Sequence, residues 1–293
     1  MRLFAGTAPR LVPPHAVPDG ALEHLLAATP VSSVFVAENV GRYRAAGSRR
    51  AAPVVGITSG GRGLPGRRTE AVKLHGACWV GTNVVPVSLD DDGIRLVADH
   101  LLVTRTPRSS FFGPQREVLG VWDSLKDRWP QPFAVRDDQP LLVFEGNGEV
   151  TPHPEVRYAE PAEIAEVLPA SAAMFQEEVG YSPYVEGDNG YVRRVSRLIQ
   201  DRRTFVVMRD GRVVFKADVG AAAGEVCQIQ GVWVAPAFRG QGLAAPCMAA
   251  VVERVQQRWP TVSLYVNSYN LPALRTYRRV GFRQAGTFAT VLF

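Results

Sequence analysis

Residues 227–244 read CQIQGVWVAPAFRGQGLA, and the order of residue types within them sets the fold. Val232-Trp233-Val234, β-branched and aromatic, reads as the end of a strand. The chain then passes through Ala235-Pro236-Ala237-Phe238 into Arg239-Gly240-Gln241-Gly242-Leu243-Ala244 and on into a helical pattern. Gly240 and Gly242 carry no Cβ, so successive backbone N–H groups can converge on a phosphate or pyrophosphate. A helix N-terminus adds unpaired N–H donors and the positive end of its dipole. Leu243, Cys247, Val251 and Val255 recur four apart and give that helix an apolar stripe suited to packing on a sheet. Pro246 falls near the first turn, where a missing N–H matters little. Strand, glycine loop and helix together describe an α/β domain with an anion site at the end of one strand.

Working outward, DRWPQPFAVRDDQP, a short strand-like LLVFE and GNGEVTPHP lie between 127 and 154, and a domain boundary is expected near residue 150. The second part reads as a strand at 156–160, a helix interrupted near Pro169, a helix over YVRRVSRLIQ, and a hairpin turning at Asp210-Gly211. After the glycine loop come a long helix to about Arg258, the strand VSLYVNS, a helix over about 271–280, and strands around FRQAG and FATVLF. The first part predicts a helix at 19–28, a strand at SSVFVA (32–37), one or two strands around Gly81, a helix at 92–102, an SSFF strand and the helix QREVLGVWDSLKDRW. SGGRGLPGRR at 59–68 is glycine-rich but lacks a strand-to-helix context, so it reads as a surface loop.

The chain has 293 residues, 46% hydrophobic and 21% charged, as expected of a soluble globular protein. No apolar run reaches the roughly 18–20 residues of a membrane span, and the N-terminus is broken by prolines, so a cytoplasmic location is expected. Three scattered cysteines and five dispersed histidines form no metal or disulfide pattern, and Cys227 and Cys247 read as buried core thiols. A net charge of +5 suits an anionic cofactor, and with no dense basic block nucleic acid is not the expected partner. The pairs Arg49–Arg50, Arg67–Arg68, Arg193–Arg194 and Arg202–Arg203 read as solvated surface.

Arg239-Gly240-Gln241-Gly242-Leu243-Ala244 resembles the Arg/Gln-x-x-Gly-x-Gly/Ala signature of the GNAT superfamily of N-acetyltransferases. Val232 and Val234 resemble that family's Val-x-Val, whose backbone would pair with the pantetheine arm of coenzyme A. Asn270-x-x-Ala273-x-x-x-Tyr277 and Gly281-Phe282 look like its final helix and the end of that helix. The resemblance covers residues 155–293. It implies that Val232, Val234, Arg239, Gly240, Gln241, Gly242, Leu243, Ala244, Asn270 and Ala273 bind acetyl-CoA, or another acyl-CoA, as cosubstrate, without a metal. MFQEEVGYSP, VVFKADVG, IQGVWVAP and SLYVNSYN together resemble an actinobacterial group of two-domain acetyltransferases with an uncharacterised N-terminal domain. The expected fold is α/β, with tandem acetyltransferase-like mixed sheets flanked by helices. Residues 1–150 would be a degenerate copy and 151–293 the acetyl-CoA-binding domain.

Acyl transfer from a thioester to an amine needs a neutral amine, a donor for the oxyanion and a proton for the leaving thiolate. Tyr277 is the catalytic candidate for that last proton, since the resemblance implies that its hydroxyl reaches the thioester sulfur; a buried core tyrosine is the plain alternative. Asn270 can cap its helix or contact the cofactor. Relatives often carry Glu two or four residues before the first Val, where this chain has Gln230 and Gln228. Glutamine cannot accept the amine's proton. Asp218, Glu225, Glu177 and Glu178 remain as acidic alternatives. Tyr181, Tyr184 and Tyr191, with Glu177, Glu178 and Glu186, either line a pocket for a cationic or peptide-like amine or form an ordinary surface loop. The expected activity is acetyl-CoA-dependent N-acyl transfer to a primary amine, directly in a ternary complex. The paired glutamines keep a non-catalytic acyl-CoA sensor as the alternative. An aminoacyl-tRNA-dependent transferase, a class that also pairs such domains, is disfavoured by the intact loop. The acceptor, the acyl-chain length and homo-oligomerisation stay open.

Overall fold

The structure, a computed structural model, describes residues 8–47, 51–59, 73–146, 148–184 and 189–293. The glycine-rich stretch beyond Ser59, the pairs Arg49–Arg50 and Arg67–Arg68, and Glu186 lie outside the described residues. The chain divides into two compact units, Met1–Pro140 with Gly286–Phe293, and Leu141–Ala285.

The first unit contains β1 (Arg10–Val12), α1 (Asp19–Ala28), α2 (Pro30–Ala45), β2 (Val54–Ser59), β3 (Lys73–Val80), β4 (Asn83–Val87), α3 (Asp91–Thr104), β5 (Ser110–Pro114) and α4 (Gln115–Leu125). Its strands follow the order β1-β2-β3-β4-β5, and Phe288–Leu292 of the C-terminal strand adds antiparallel to β5. All neighbours are antiparallel except β4 and β5. Alternation along the strands gives the sheet two apolar faces. Val55, Ile57, Cys78, Val84 and Phe111 pack under α3 and α4, while Val54, Ala77, Trp79, Val85 and Val87 pack under α1 and α2.

The SSVFVA pattern predicts a strand, but the segment lies inside α2. Pro30 occupies the first turn, where its fixed φ suits a helix. The Ser33 hydroxyl donates to the carbonyls of Leu26 (2.8 Å) and Thr29 (2.7 Å), locking the corner between α1 and α2. Val36 and Val40, four apart, are buried in the same core, and that packing overrides the β preference of the branched residues.

Strand β6 (Ala134–Phe144), longer than the LLVFE of the sequence reading, leads into the second unit. There follow β7 (Arg157–Tyr158), α5 (Ile164–Val179), α6 (Gly190–Gln200), β8 (Thr204–Arg209), β9 (Arg212–Ala223), β10 (Val226–Val234), α7 (Ala244–Gln256), β11 (Thr261–Tyr265), α8 (Leu271–Val280) and β12 (Phe282–Leu292). The interruption expected near Pro169 does not occur, because that proline removes a single early backbone bond and α5 runs through it. The two strands expected at the C-terminus are one, β12. The sheet runs β7-β8-β9-β10-β11, with Leu141–Val143 of β6 antiparallel to β11. Phe205, Val207, Phe215, Ala217, Val219, Cys227 and Ile229 face α7 and α8, and Val206 and Val213 face α5 and α6.

Each unit contains the same device, a parallel strand pair joined by a helix: β4–α3–β5 in the first and β10–α7–β11 in the second. They differ at the helix start. Where the second unit has Arg239-Gly240-Gln241-Gly242, the first has Asp90-Asp91-Asp92. The Asp90 carboxylate caps α3 itself, accepting from Gly93 N at 2.8 Å. A helix end capped by one carboxylate, with two more in its first turn, repels an anion.

Within the first unit, Glu117 on α4 is largely buried and its Oε2 has no hydrogen-bond partner. Burial raises its pKa to about 7, against the opposing backbone N–H of Leu89 and the charge of Arg116. The folded chain therefore holds this proton more tightly than the unfolded one. Stability is highest below the unfolded value near 4.5 and falls as pH rises through about 7. Glu117→Gln should remove this slope and add up to roughly 3 kcal/mol at pH 8, read from urea unfolding at pH 5 and pH 8.

Candidate active site

The site is built on β10. It pairs parallel with β11 only from Val226–Thr261 to Gln228–Ser263, although β10 runs on to Val234. On its other edge β10 pairs with β9, and that ladder shifts register between Gln230 and Trp233. Gly231 (φ 58°) sits in this bulge, in a conformation that disfavours any side chain. The backbone of Val232–Val234 thus lies beyond the end of the β11 ladder.

Immediately beyond, Gly240 (φ 75°) and Gly242 (φ 76°) are both left-handed, and a Cβ at either would meet nothing within 4 Å. Glycine is required there by backbone conformation, and open space lies in front of the loop. Leu243 is the N-cap of α7 and contributes no side-chain bond. Helix geometry leaves the N–H groups of Ala244 and Ala245 without partners inside the helix, and the first helical N–H to find one is Cys247, donating to Leu243 O at 3.2 Å. The loop is braced from behind. Gln241 Nε2 donates to Ala237 O (2.9 Å), and Arg239 Nε donates to Val234 O (2.9 Å). Arg239 Nη2 meets both oxygens of Glu177 on α5 (3.0 and 2.7 Å), and Trp233 Nε1 donates to the same carboxylate at 3.2 Å. Arg239 therefore holds the loop's shape and ties it to α5, with its charge already partnered.

Tyr277 lies on α8, which packs on α7. It is buried, edge-on to Phe282 with ring centroids 5.9 Å apart. Burial and then the nearby charge of Glu178 raise its pKa well above the usual phenol value, so its hydroxyl stays a donor across the neutral range. Asn270 is the N-cap of α8 and its Oδ1 accepts from Ala273 N at 3.2 Å, so capping accounts for both residues without a ligand.

The opposite face of β9 and β10 carries the polar groups. Gln228 is buried with Nε2 unpartnered, and Gln230 is half-buried opposite Asp218 in the ladder. Asp218 is 5% exposed and Lys216 fully buried. Lys216 Nζ donates to Asp218 Oδ2 (2.6 Å) and to Gly231 O (3.2 Å), and Thr204 Oγ1 donates to Asp218 Oδ1 (2.8 Å). Lys216 had no role in the sequence reading. Its signal was a Lys-x-Asp alternation inside the otherwise apolar VVFKADVG, which places both charges on one strand face. Glu225 is exposed on the β9–β10 turn, at the far end of β10 from the glycine loop, which removes it from the chemistry.

Tyr191 is half-buried on α6, and its pKa is raised by burial and then by Asp218. Rings link Tyr181 to Phe175 (5.4 Å), Phe175 to Tyr191 (5.8 Å) and Tyr191 to Tyr184 (5.9 Å). The thiols of Cys227 and Cys247 are buried and pushed up to about 12, as inert core residues.

Residues 171–282 match the acetyltransferase (GNAT) family. The second unit is a GNAT-family domain. Residues 66–167 match a separate family described only as a domain of unknown function, DUF4081. An acetyltransferase of Agrobacterium fabrum is 33% identical over 81 residues, 28% of this chain, and the match spans 58% of that protein's length. A GNAT-family acetyltransferase from Colwellia psychrerythraea shares the fold along the chain, with a TM-score of 0.54 and 13% identity over 98% of this chain and 99% of that one. A GCN5-related N-acetyltransferase from Sphaerobacter thermophilus does so with a TM-score of 0.53 and 16% identity over 97% and 95%. Among the described residues, no helix is long and apolar enough to cross a membrane, and no group of three or more His, Cys, Asp or Glu is placed to hold a metal.

The buried pair behind the GNAT bulge yields a double-mutant test. Lys216→Met strands the Asp218 carboxylate and should cost roughly 3–5 kcal/mol. Adding Asp218→Leu should recover most of that loss, as measured by urea unfolding of the three variants.

Proposed function

We propose that the second unit binds acetyl-CoA, or another acyl-CoA, and transfers its acyl group to a primary amine within a ternary complex. The observation that carries this reading is the conjunction at the end of β10: a strand turned out of its parallel ladder runs straight into two left-handed glycines and an uncapped helix start. Backbone groups of Val232 and Val234 would pair with the pantetheine arm. The N–H groups of Gly240, Gln241, Gly242, Leu243 and Ala244 would cradle the pyrophosphate.

In the transfer step the amine nitrogen bonds to the acyl carbon, the carbon–sulfur bond breaks, and the proton lost by the amine ends on the departing sulfur. Backbone N–H groups of β10 beyond Gly231 would steady the tetrahedral oxyanion. Tyr277, whose raised pKa makes it a poor proton source, would act as a hydrogen-bond donor to the sulfur. Gln228 and Gln230 cannot take the amine's proton, and Asp218 is engaged by Lys216 and Thr204, so that proton would pass to the sulfur through water. The Tyr181, Tyr184 and Tyr191 cluster, with Glu178, would face the acceptor and suits a cationic amine.

One observation favours a second reading, a domain that senses acyl-CoA without turning it over: no carboxylate occupies the strand position held here by Gln228 and Gln230. Coenzyme A release across a panel of amines and peptides separates the two, with tight binding and no release supporting the sensor.

Gly242→Trp should abolish acetyl-CoA binding by calorimetry, and equal affinity in both proteins removes the site assignment. Tyr277→Phe should lower kcat by about 10²-fold, the loss expected for one donor to developing charge, while leaving acetyl-CoA affinity unchanged.

A further inference from the structure

The first unit lacks the glycine loop but carries a basic cavity of its own. Leu102, Arg105, Arg108, Arg128, Trp129 and Phe293 line a space of about 400 Å³, within the size range of small-molecule sites. Three arginines line it, Arg105 and Arg128 exposed and Arg108 half-buried, and among the described residues none of them pairs with a carboxylate. Like charges gathered without a counter-ion repel one another, and for Arg108 desolvation adds to that cost.

The fold fixes the main chain of Arg105 and the guanidinium of Arg108. Arg105 is the C-cap of α3 in the left-handed region (φ 47°), its N–H donating to Leu101 O at 3.0 Å, a conformation that side chains adopt at a cost. Arg108 reaches back to the β3–β4 turn, where Nη1 donates to Val80 O (2.6 Å) and to Gly81 O. Its Nε is buried with no acceptor, and burial lowers the pKa of the guanidinium. An orphaned buried N–H leaves this clamped cation short of one partner. The apolar wall is equally fixed. Trp129 and Phe293 pack edge to face (6.5 Å, 66°), and both pack on the fully buried Phe111 (5.9 and 5.0 Å).

We propose that this cavity binds a small organic anion, its carboxylate, sulfonate or phosphate group held by Arg105, Arg108 and Arg128 and its flat apolar body resting on Trp129 and Phe293. A neutral aromatic would leave the three cations unpaired, and an inorganic anion would leave the aromatic wall wet. The site lies wholly in the first unit and does not depend on acyl transfer by the second.

The test is calorimetric titration of the full chain with naphthalene-1-sulfonate, alongside naphthalene-1-methanol and sulfate as the ring and the anion alone. Saturable binding of the sulfonate is expected, with both controls much weaker. Arg128→Met, at an exposed position, should weaken it about tenfold, the loss expected for one charge-assisted hydrogen bond, with the thermal midpoint unchanged. Arg108→Met should weaken it further, and Gly242→Trp should leave it unchanged. Absence of saturable binding, equal affinity for either control, equal affinity in Arg128→Met, or loss of binding in Gly242→Trp would overturn the assignment.

Discussion

A parallel strand pair that stops pairing after three residues is the constraint on which the second unit is organised. A strand withdrawn from its neighbour leaves backbone donors and acceptors that must find other partners. The chain commits to that withdrawal with a bulge at Gly231, and a fully buried lysine fixes the bulge by holding the Gly231 carbonyl from the far face. The ion pair of Lys216 with Asp218 is thus part of the same construction as the early end of the parallel ladder on the other edge of β10. Polar groups buried this deeply in a sheet stabilise little by themselves, but they specify one backbone path among several close in energy.

The two units show how one scaffold is opened or closed to an anion by a few residues at a helix start. Both contain a parallel pair bridged by a helix, and each helix begins just past the first strand of that pair. In one the approach is built from glycines with no side-chain cap, and in the other Asp90 caps the helix, with Asp91 and Asp92 in its first turn. The macrodipole is present in both. What differs is whether the protein's own carboxylates have already used it.

The glycine loop was legible in the sequence because its requirement is local: left-handed backbone at Gly240 and Gly242 is a property of those residues and their neighbours. The helices at 19–28 and 271–280 and the hairpin at Asp210-Gly211 were legible for the same reason. SSVFVA was misread because its helix is enforced by burial of Val36 and Val40 against strands that lie far along the chain. Asp218 was one acidic candidate among four, and Lys216 had no role until the structure paired the two behind the bulge. The aspartates at 90–92 carried no signal until topology made them the counterpart of the glycine loop. Asn270 was ambiguous in sequence, and its cap geometry accounts for it.

Strand β12 starts in the second unit and finishes in the first, where Phe288–Leu292 pairs with Ser110–Pro114 and buries Ala289 and Val291 in that unit's core. Contacts so distant along the chain close slowly. On the ribosome, the first unit cannot complete its sheet when its own 140 residues emerge. It must wait with an open strand edge until the whole GNAT domain has been synthesised behind it. Removing the last eight residues would therefore damage the N-terminal unit, at the opposite end of the sequence from the cut.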